Sequence, residues 1–267
     1  MPRFKLTIEY AGTRYSGWQI QQNARTIAGE IERAVRTVTG RKDFELYGAG
    51  RTDAGVHAAG QVAHLDVATN LPADRLLARL NDELPADINV LQAVVVPHRF
   101  HARHDAVARR YVYQVARRRT ALHKPHVWWI KEPLDVQRMR DAARVLVGLK
   151  DFKSFAESEG SKGSRGSTST RVLLERVDVV EDGDLVLIVV EGSHFLWKMV
   201  RRIVGVLVEV GRGALEVDAA ERYLREDSDV PARLTAPPSG LFLERVYYKN
   251  DERDAAVRAV TPLHSRR

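Results

Sequence analysis

FKLTIEY, residues 4–10, alternates apolar and polar side chains along its whole length. Strict alternation over this distance predicts a β-strand with one buried face. After a polar loop, Thr26 is suited to cap a helix, and the apolar residues that follow it recur every three or four positions until Gly40. The chain therefore opens with a strand and an amphipathic helix.

The rest of the first hundred residues extends this pattern. Strands are predicted at 44–47, 61–67 and 88–96, and a helix at 72–80 begins with a proline, which suits a first helical turn. The resulting order, β-α-β-β-α-β, is that of a ferredoxin-like unit. The first half of the sequence thus predicts one such unit.

The same order recurs in the second half, with an additional helix. Strands are predicted at 111–115, 172–180, 185–190 and 241–248, and helices at 135–147, 195–210 and 217–225. We therefore predict an α+β protein with two ferredoxin-like halves. The predicted domains are residues 1–104 and residues 105–250, followed by a polar tail at 251–267.

Composition narrows the class of protein. The 267 residues include no cysteine, which excludes a disulfide framework, cysteine-ligated zinc, an iron–sulfur cluster and a thiol nucleophile. The longest apolar run, at 185–190, is far shorter than the roughly 20 residues that span a bilayer. The first residues also lack the apolar stretch of a secretory signal. We expect a cytoplasmic protein without membrane contact.

The charge of the chain favours a polyanionic partner. Lys and Arg number 42 against 35 Asp and Glu, a net charge of +7, and 33 of the 42 are arginines. Arginine presents a planar fork that binds phosphate and stacks on bases, which favours nucleic acid. An arginine-rich bias in coding is the alternative. The Ser/Gly-rich, basic stretch at 157–171 is predicted to be a flexible loop, either a tolerated insertion or a flap that orders on RNA.

GAGRTDAGVHA, residues 48–58, is the densest candidate site. The closely spaced glycines preclude regular structure at 48–57 and let the backbone approach a ligand closely. Arg51 and Asp53 lie in this loop between two predicted strands, where charged side chains can meet a substrate. A role for the aspartate in stabilising its own turn is the alternative.

Two further segments carry basic and aromatic side chains. His98, His101 and His104 are spaced three apart, but the neighbouring arginines would repel a cation, so we expect no metal site. This segment and ARRYVY, residues 108–113, suit phosphate and base contacts better. In the predicted helix at 195–210, the adjacent Arg201 and Arg202 point about 100° apart. One of them could meet a carboxylate while the other meets RNA; two solvated arginines are the alternative.

These motifs together resemble the tRNA pseudouridine synthase A family. The matching stretches occur in the family's order over most of residues 3–249: YSGWQIQQ, GAGRTDAGVHA, FHAR, ARRYVY, DFKSF, FLWKMVRRIVGVLVEVG and APPSGLFLERVYY. The resemblance implies two pseudosymmetric ferredoxin-like domains whose antiparallel sheets meet at a central active-site cleft. It also implies isomerisation of uridine to pseudouridine in the anticodon stem-loop, at tRNA positions 38–40, without a metal or another cofactor. The Ser/Gly-rich stretch at 158–166 departs from the family pattern.

The resemblance also implies roles for particular residues. Asp53 matches the family's essential aspartate, which acts either as a nucleophile or as a base. Arg201 matches the arginine that pairs with it and keeps it ionised. Tyr111 matches the active-site tyrosine, whose ring can stack on the uracil and whose hydroxyl can reach the proton lost from C5. Arg51 is placed to fill the space that the flipped uridine leaves.

The remaining expectations concern partners and alternatives. The residues expected to contact tRNA phosphates are Arg109, Arg110, Lys198 and Arg202, with further charge from the loop at 162–165. The resemblance implies a homodimer that binds tRNA. Two other functions fit parts of the sequence: a non-catalytic RNA-binding protein, and a cofactor-free RNA hydrolase with Asp53 or His57 as its base.

Overall fold

The structure, a computed structural model, describes residues 1–157, 169–253 and 256–263. It is an α+β protein, as predicted. In chain order its strands and α-helices are β1 (Arg3–Tyr10), α1 (Ile27–Thr39), β2 (Phe44–Gly48), β3 (His57–Val67), α2 (Ala73–Glu83), β4 (Ile88–Val96), β5 (Ala106–Ala116), β6 (Trp128–Trp129), α3 (Val136–Arg144), β7 (Gly148–Asp151), β8 (Arg171–Asp182), β9 (Leu185–Gly192), α4 (Met199–Gly211), α5 (Ala219–Arg225), α6 (Val230–Arg233) and β10 (Leu241–Tyr248). No helix in these described ranges is long and apolar enough to cross a membrane.

The chain divides into two compact units. Unit 1 comprises Met1–Val107 and Phe242–Arg253, and unit 2 comprises Ala108–Leu241 and Asp254–Arg267. The division differs from the predicted one because almost all of the last strand belongs to unit 1 and residues 256–263 belong to unit 2. Residues 158–168 of the predicted flexible loop, including Lys162 and Arg165, lie outside the described residues.

Strand β3 is the centre of the sheet in unit 1. One edge of β3 pairs with β1, which pairs in turn with β4, all antiparallel. The other edge pairs with β2 antiparallel and, at the start of β3, with β10 in parallel. Helix α2 packs on β4, and α1 packs on α2. The buried residues of β1 alternate as the sequence predicts.

Helix α1 forms where its sequence predicts. The Thr26 hydroxyl accepts a hydrogen bond from the amide of Gly29, 3.3 Å away, which satisfies a donor at the start of the helix. The helix ends at Gly40, which adopts the left-handed conformation. The prediction of both ends is confirmed because each is set by local chemistry.

Unit 2 has an antiparallel sheet in the order β5-β9-β8-β7, and β6 pairs in parallel with the end of β5. The strands predicted at 172–180 and 185–190 form a hairpin, β8–β9, in which Asp182 pairs with Leu185. Helix α3 packs on both α4 and β8. Most residues of α4 are buried, so this helix lies within the core of unit 2.

Two helix predictions in unit 2 are wrong at one end. The helix predicted at 135–147 ends at Arg144, and Gly148 begins the edge strand β7 instead, because pairing with β8 supplies hydrogen bonds there. The helix predicted from residue 195 begins at Met199, since Lys198 has a φ of 60° and interrupts it. The short elements β6, β7 and α6 have no counterpart in the prediction.

The described part of the predicted polar tail is divided between the units: residues 251–253 belong to unit 1, and residues 256–263 belong to unit 2. Leu263 is buried in a cluster with Ala116, Val127, Leu185 and Leu187. The amide of Thr261 donates to Oε1 of Gln114 at 3.0 Å, and Nε2 of Gln114 donates to the Thr261 hydroxyl at 2.7 Å. The described residues 256–263 therefore cover one face of the sheet.

Candidate active site

The glycine-rich loop at 49–56 connects β2 to β3 in unit 1. Its beginning is fixed to β3: the amide of Ala49 donates to the carbonyl of Val62 at 2.7 Å, and Nε2 of Gln61 donates to the carbonyl of Gly50 at 2.9 Å. Gln61 is fully buried, so this contact is shielded from water. The loop is thus attached to a central strand before it reaches the charged residues.

A second loop, at 12–18, holds the middle of this segment. The amide of Trp18 donates to the carbonyl of Thr52 at 3.0 Å, and the amide of Gly55 donates to the carbonyl of Tyr15 at 3.3 Å. Gly17 has a φ of 90°, and a Cβ at this position would lie 2.5 Å from the Thr52 oxygen. Only glycine allows so close an approach in that conformation.

The charged side chains of the loop stay accessible while its backbone is fixed. Thr52 is buried and shares a 2.8 Å hydrogen bond with the Tyr10 hydroxyl, whereas Arg51 is exposed and Asp53 is half-buried. The carbonyl of Asp53 accepts from the amide of Val56 at 3.1 Å, which closes a turn. The loop therefore presents a carboxylate and a guanidinium from a rigid backbone.

His57, the alternative base, has a structural environment. Its ring is buried, and its Nδ1 accepts a hydrogen bond from the amide of Gly12 at 3.1 Å. The ring also stacks on Phe242, with 4.8 Å between ring centroids. These contacts fix the start of β3 and leave little exposed surface for work as a general base.

The histidine-rich turn after β4 packs its rings together. His101 lies 4.7 Å from His64 and 4.9 Å from Tyr47 between ring centroids, and its Nδ1 accepts from the amide of Arg103. Burial is the main cause that lowers the pKa of His64 to about 4, so this imidazole is neutral near pH 7. The described residues contain no cluster of three or more side chains suited to bind a metal.

In unit 2, strand β5 and the segment before α4 meet. Tyr111 is buried and packs edge-on against Phe195, with 5.0 Å between ring centroids. Nη1 of Arg109 donates to the carbonyl of Ser193 at 2.7 Å. Two of the predicted site residues are therefore grouped around residues 193–195, which sequence spacing alone did not reveal.

Arg110 does not fit its predicted role as a phosphate contact. It is 2% exposed, and its Nη2 donates to the carbonyl of Ala256 at 2.6 Å. The described C-terminal segment covers the side of β5 on which it lies. Its guanidinium is consequently committed to holding that segment.

Arg201 is fixed by a reciprocal contact with Ala236. Its Nε donates to the Ala236 carbonyl at 2.7 Å, and its own carbonyl accepts from the Ala236 amide at 3.0 Å. One helical turn later, a Cβ at Gly205 would lie 1.7 Å from the carbonyl oxygen of Leu234. The segment at 234–237 thus lies directly against α4.

Tyr113 supports the same segment from the sheet. Its hydroxyl donates to the carbonyl of Pro237 at 2.8 Å. Burial raises the pKa of Tyr113 well above its ordinary value, so the hydroxyl keeps its proton. Tyr113 lies two residues after Tyr111 on β5, and this spacing is the only feature of the sequence that points to it.

Arg202 and Lys198 contact a residue that the sequence did not indicate, Glu157. Nζ of Lys198 lies 2.6 Å from the Glu157 carboxylate, and Nη2 of Arg202 lies 3.4 Å from the same oxygen. Nη1 of Arg202 also donates to the carbonyl of Ala156 at 2.5 Å. Since Arg202 is only 7% exposed, its predicted phosphate contact does not fit the structure.

A family model and several known proteins that match this chain all have the same description, tRNA pseudouridine synthase. A family model described as tRNA pseudouridine synthase matches residues 6–105 and 142–249. A tRNA pseudouridine synthase A of Nitrobacter hamburgensis is 44% identical over 251 residues, which cover 93% of this chain and 100% of that protein. Proteins of the same name are similar: that of Rhodopseudomonas palustris is 43% identical, covering 93% and 100%, and that of Nitrobacter winogradskyi is 42% identical, covering 93% and 96%.

Proposed function

This chain belongs to the tRNA pseudouridine synthase family, and we propose that it acts on the anticodon stem-loop of tRNA, at positions 38–40. As a member of that family it is an isomerase that converts uridine in tRNA to pseudouridine. The C1′–N1 bond of the nucleotide breaks, the uracil rotates, and C5 bonds to C1′. C5 loses its proton and N1 gains one, so the product is an isomer of the substrate. Both the position within tRNA and the residues that act are our proposal.

Asp53 is the proposed catalytic carboxylate. The supporting observation is the loop at 49–56, whose backbone is held by β3 and by residues 12–18 while Asp53 remains half-buried. A carboxylate on a fixed backbone can attack C1′ or remove a proton beside it without first becoming ordered. Arg51 is exposed on the same loop and is the proposed occupant of the space left by the flipped uridine.

Arg201 and Tyr111 are proposed to complete the site. Arg201 would pair with Asp53 and keep it ionised, since a cation favours the charged form of a nearby carboxyl. Its support is the bond to Ala236, which limits the guanidinium to few positions. Tyr111 would stack on the uracil, with its hydroxyl within reach of the proton lost from C5. Its packing against Phe195 holds the ring in one orientation.

We also propose that the chain has two ferredoxin-like halves and forms a homodimer. Asp53 comes from the first half of the sequence, and Tyr111 and Arg201 come from the second, as expected for two ferredoxin-like halves with a central active-site cleft. We expect the homodimer to be cytoplasmic. Light scattering at micromolar protein should give twice the mass of one chain, and the mass of a single chain would contradict the dimer.

Release of tritium from tRNA labelled at C5 of uridine tests the reaction and separates the alternatives. A synthase releases tritium and leaves the RNA intact, a hydrolase shortens the RNA, and a non-catalytic binding protein does neither. Substrates with uridine retained only at position 38, 39 or 40 locate the target. Release from a tRNA that has no uridine at these three positions would contradict the proposed location.

A further inference from the structure

The start of α4 carries an unfavourable concentration of positive charge. Lys198 is the residue that precedes the helix, and Arg201 and Arg202 lie in its first turn, which contains no acidic residue and has no side-chain cap. The amino end of a helix is itself positive, so cations there are destabilising. Lys198 also adopts the left-handed conformation, which costs free energy for a residue with a side chain. This turn therefore needs stabilisation from elsewhere.

Glu157 supplies it from a separate segment of unit 2. One oxygen of its carboxylate contacts both Nζ of Lys198 at 2.6 Å and Nη2 of Arg202 at 3.4 Å. Its backbone amide donates to the carbonyl of Trp197 at 3.1 Å. Glu157 therefore holds Lys198 in two ways. Its backbone binds the preceding residue, Trp197, and its carboxylate binds the Lys198 side chain.

The Arg202 contact extends this arrangement into the helix. Arg202 is almost fully buried, and burial lowers its pKa while the Glu157 carboxylate opposes that shift. Its second nitrogen, Nη1, donates to the carbonyl of Ala156, next to Glu157. Residues 156–157 therefore contact the helix at Arg202 as well as at Lys198, on either side of Arg201 in the sequence.

We propose that Glu157 is a positioning residue for Arg201, and that it also keeps Lys198 from binding an RNA phosphate. The inference rests on the proposed function, in which Arg201 pairs with the catalytic carboxylate. By holding the residues before and after Arg201, Glu157 fixes the first turn of α4 and hence the origin of the Arg201 side chain. Without this carboxylate, the turn loosens and the Lys198 ammonium becomes available to a phosphate, while Arg202 stays buried.

The substitution Glu157→Gln should move catalysis and binding in opposite directions. The rate of a single turnover at saturating tRNA should fall roughly tenfold, as expected for loss of charge-assisted hydrogen bonds. Affinity for tRNA should not weaken, and its salt dependence should steepen by about 0.7 as Lys198 gains a phosphate. General damage to the fold would instead lower both rate and affinity.

Glu181→Gln is the matched control. Glu181 is a carboxylate of unit 2 that contacts Arg117 and lies 3.7 Å from Arg140, at the end of the β8–β9 hairpin. Its substitution makes the same change in net charge away from α4, so the turnover rate should equal that of the parent protein. Glu157→Asp keeps the charge and should recover most of the rate lost in Glu157→Gln.

Hydrogen exchange gives a readout that is independent of activity. Amides at 199–202 should exchange faster in Glu157→Gln than in Glu181→Gln, while those of α1 should not change. If Glu157→Gln has the same turnover rate and the same amide exchange rates as the parent protein, the inference is wrong. A parent protein that releases no tritium, together with faster exchange in Glu157→Gln, would contradict the proposed function while leaving the role of Glu157 in the helix intact.

Discussion

The loop at 49–56 and the start of α4 are two regions that must hold charged side chains in place, and they do so by different means. The loop is fixed by hydrogen bonds from its backbone to neighbouring backbone groups and to the Gln61 side chain, and by a glycine that permits close approach. The helix start is fixed by a carboxylate shared between two cations. The first arrangement depends on shape, and the second depends on charge. A change of shape should therefore disturb the loop most, whereas a change of charge or of salt concentration should disturb the start of α4 most.

The largest effect is expected at the loop, from a change that leaves its shape intact. Asp53→Asn preserves size but removes the negative charge required of a nucleophile or base. Turnover should be abolished while tRNA affinity stays within a few-fold of the parent value, measured by tritium release and filter binding. Substantial isomerisation by the purified variant would show that a rigid loop presents Asp53 for some other purpose.

A change in loop shape should be the next most damaging. Gly17→Ala places a Cβ 2.5 Å from the Thr52 oxygen in a left-handed conformation, which should cost roughly 2–5 kcal/mol of unfolding free energy. Gly50→Ala, whose Cβ would meet nothing within 4 Å, is the control and should cost much less. Denaturant unfolding measures both. Equal costs would mean that close backbone approach does not hold this loop.

The free energy of unfolding should depend on pH because the His64 ring is neutral in the folded protein. His64 accepts a proton near its ordinary pKa of 6.5 when unfolded, but only near pH 4 when folded. The unfolded state thus binds more protons between these values, so stability falls as pH falls, by up to about 3 kcal/mol. His64→Asn retains an acceptor for the Ala102 amide and should flatten this dependence. An unchanged pH profile in that variant would assign the titration to another group.

The smallest effects should separate buried from exposed arginines. Arg110→Gln leaves the Ala256 carbonyl without its donor and should cost about 1–3 kcal/mol of stability, with no change in the salt dependence of tRNA binding. Arg51→Gln, at an exposed position, should leave stability within about 0.5 kcal/mol and reduce the salt slope by about 0.7. A smaller salt slope in Arg110→Gln together with a loss of stability in Arg51→Gln would contradict the burial of Arg110.

Local chemistry explains the elements that were predicted correctly. Thr26 and Gly40 set the ends of α1, and alternation identified β1, because helix caps and half-buried strands depend on neighbours in sequence. The start of α4 was missed because residues 195–197 continue an apolar helical pattern. The left-handed Lys198 that interrupts it is maintained by contacts with Glu157, a distant residue.

The sequence alone is sufficient to recognise the class of fold, the glycine-rich loop with Asp53 and, through its motifs, the family. Each of these depends on residue types and their spacing along the chain, which are known before the chain folds. The tertiary structure alone decided that Arg110 is buried under the C-terminal segment, that Glu157 contacts Lys198 and Arg202, and that Tyr113 supports the segment beside Arg201. Each of these contacts joins residues tens of positions or more apart. Which charges meet each other rather than solvent is fixed only when the chain folds.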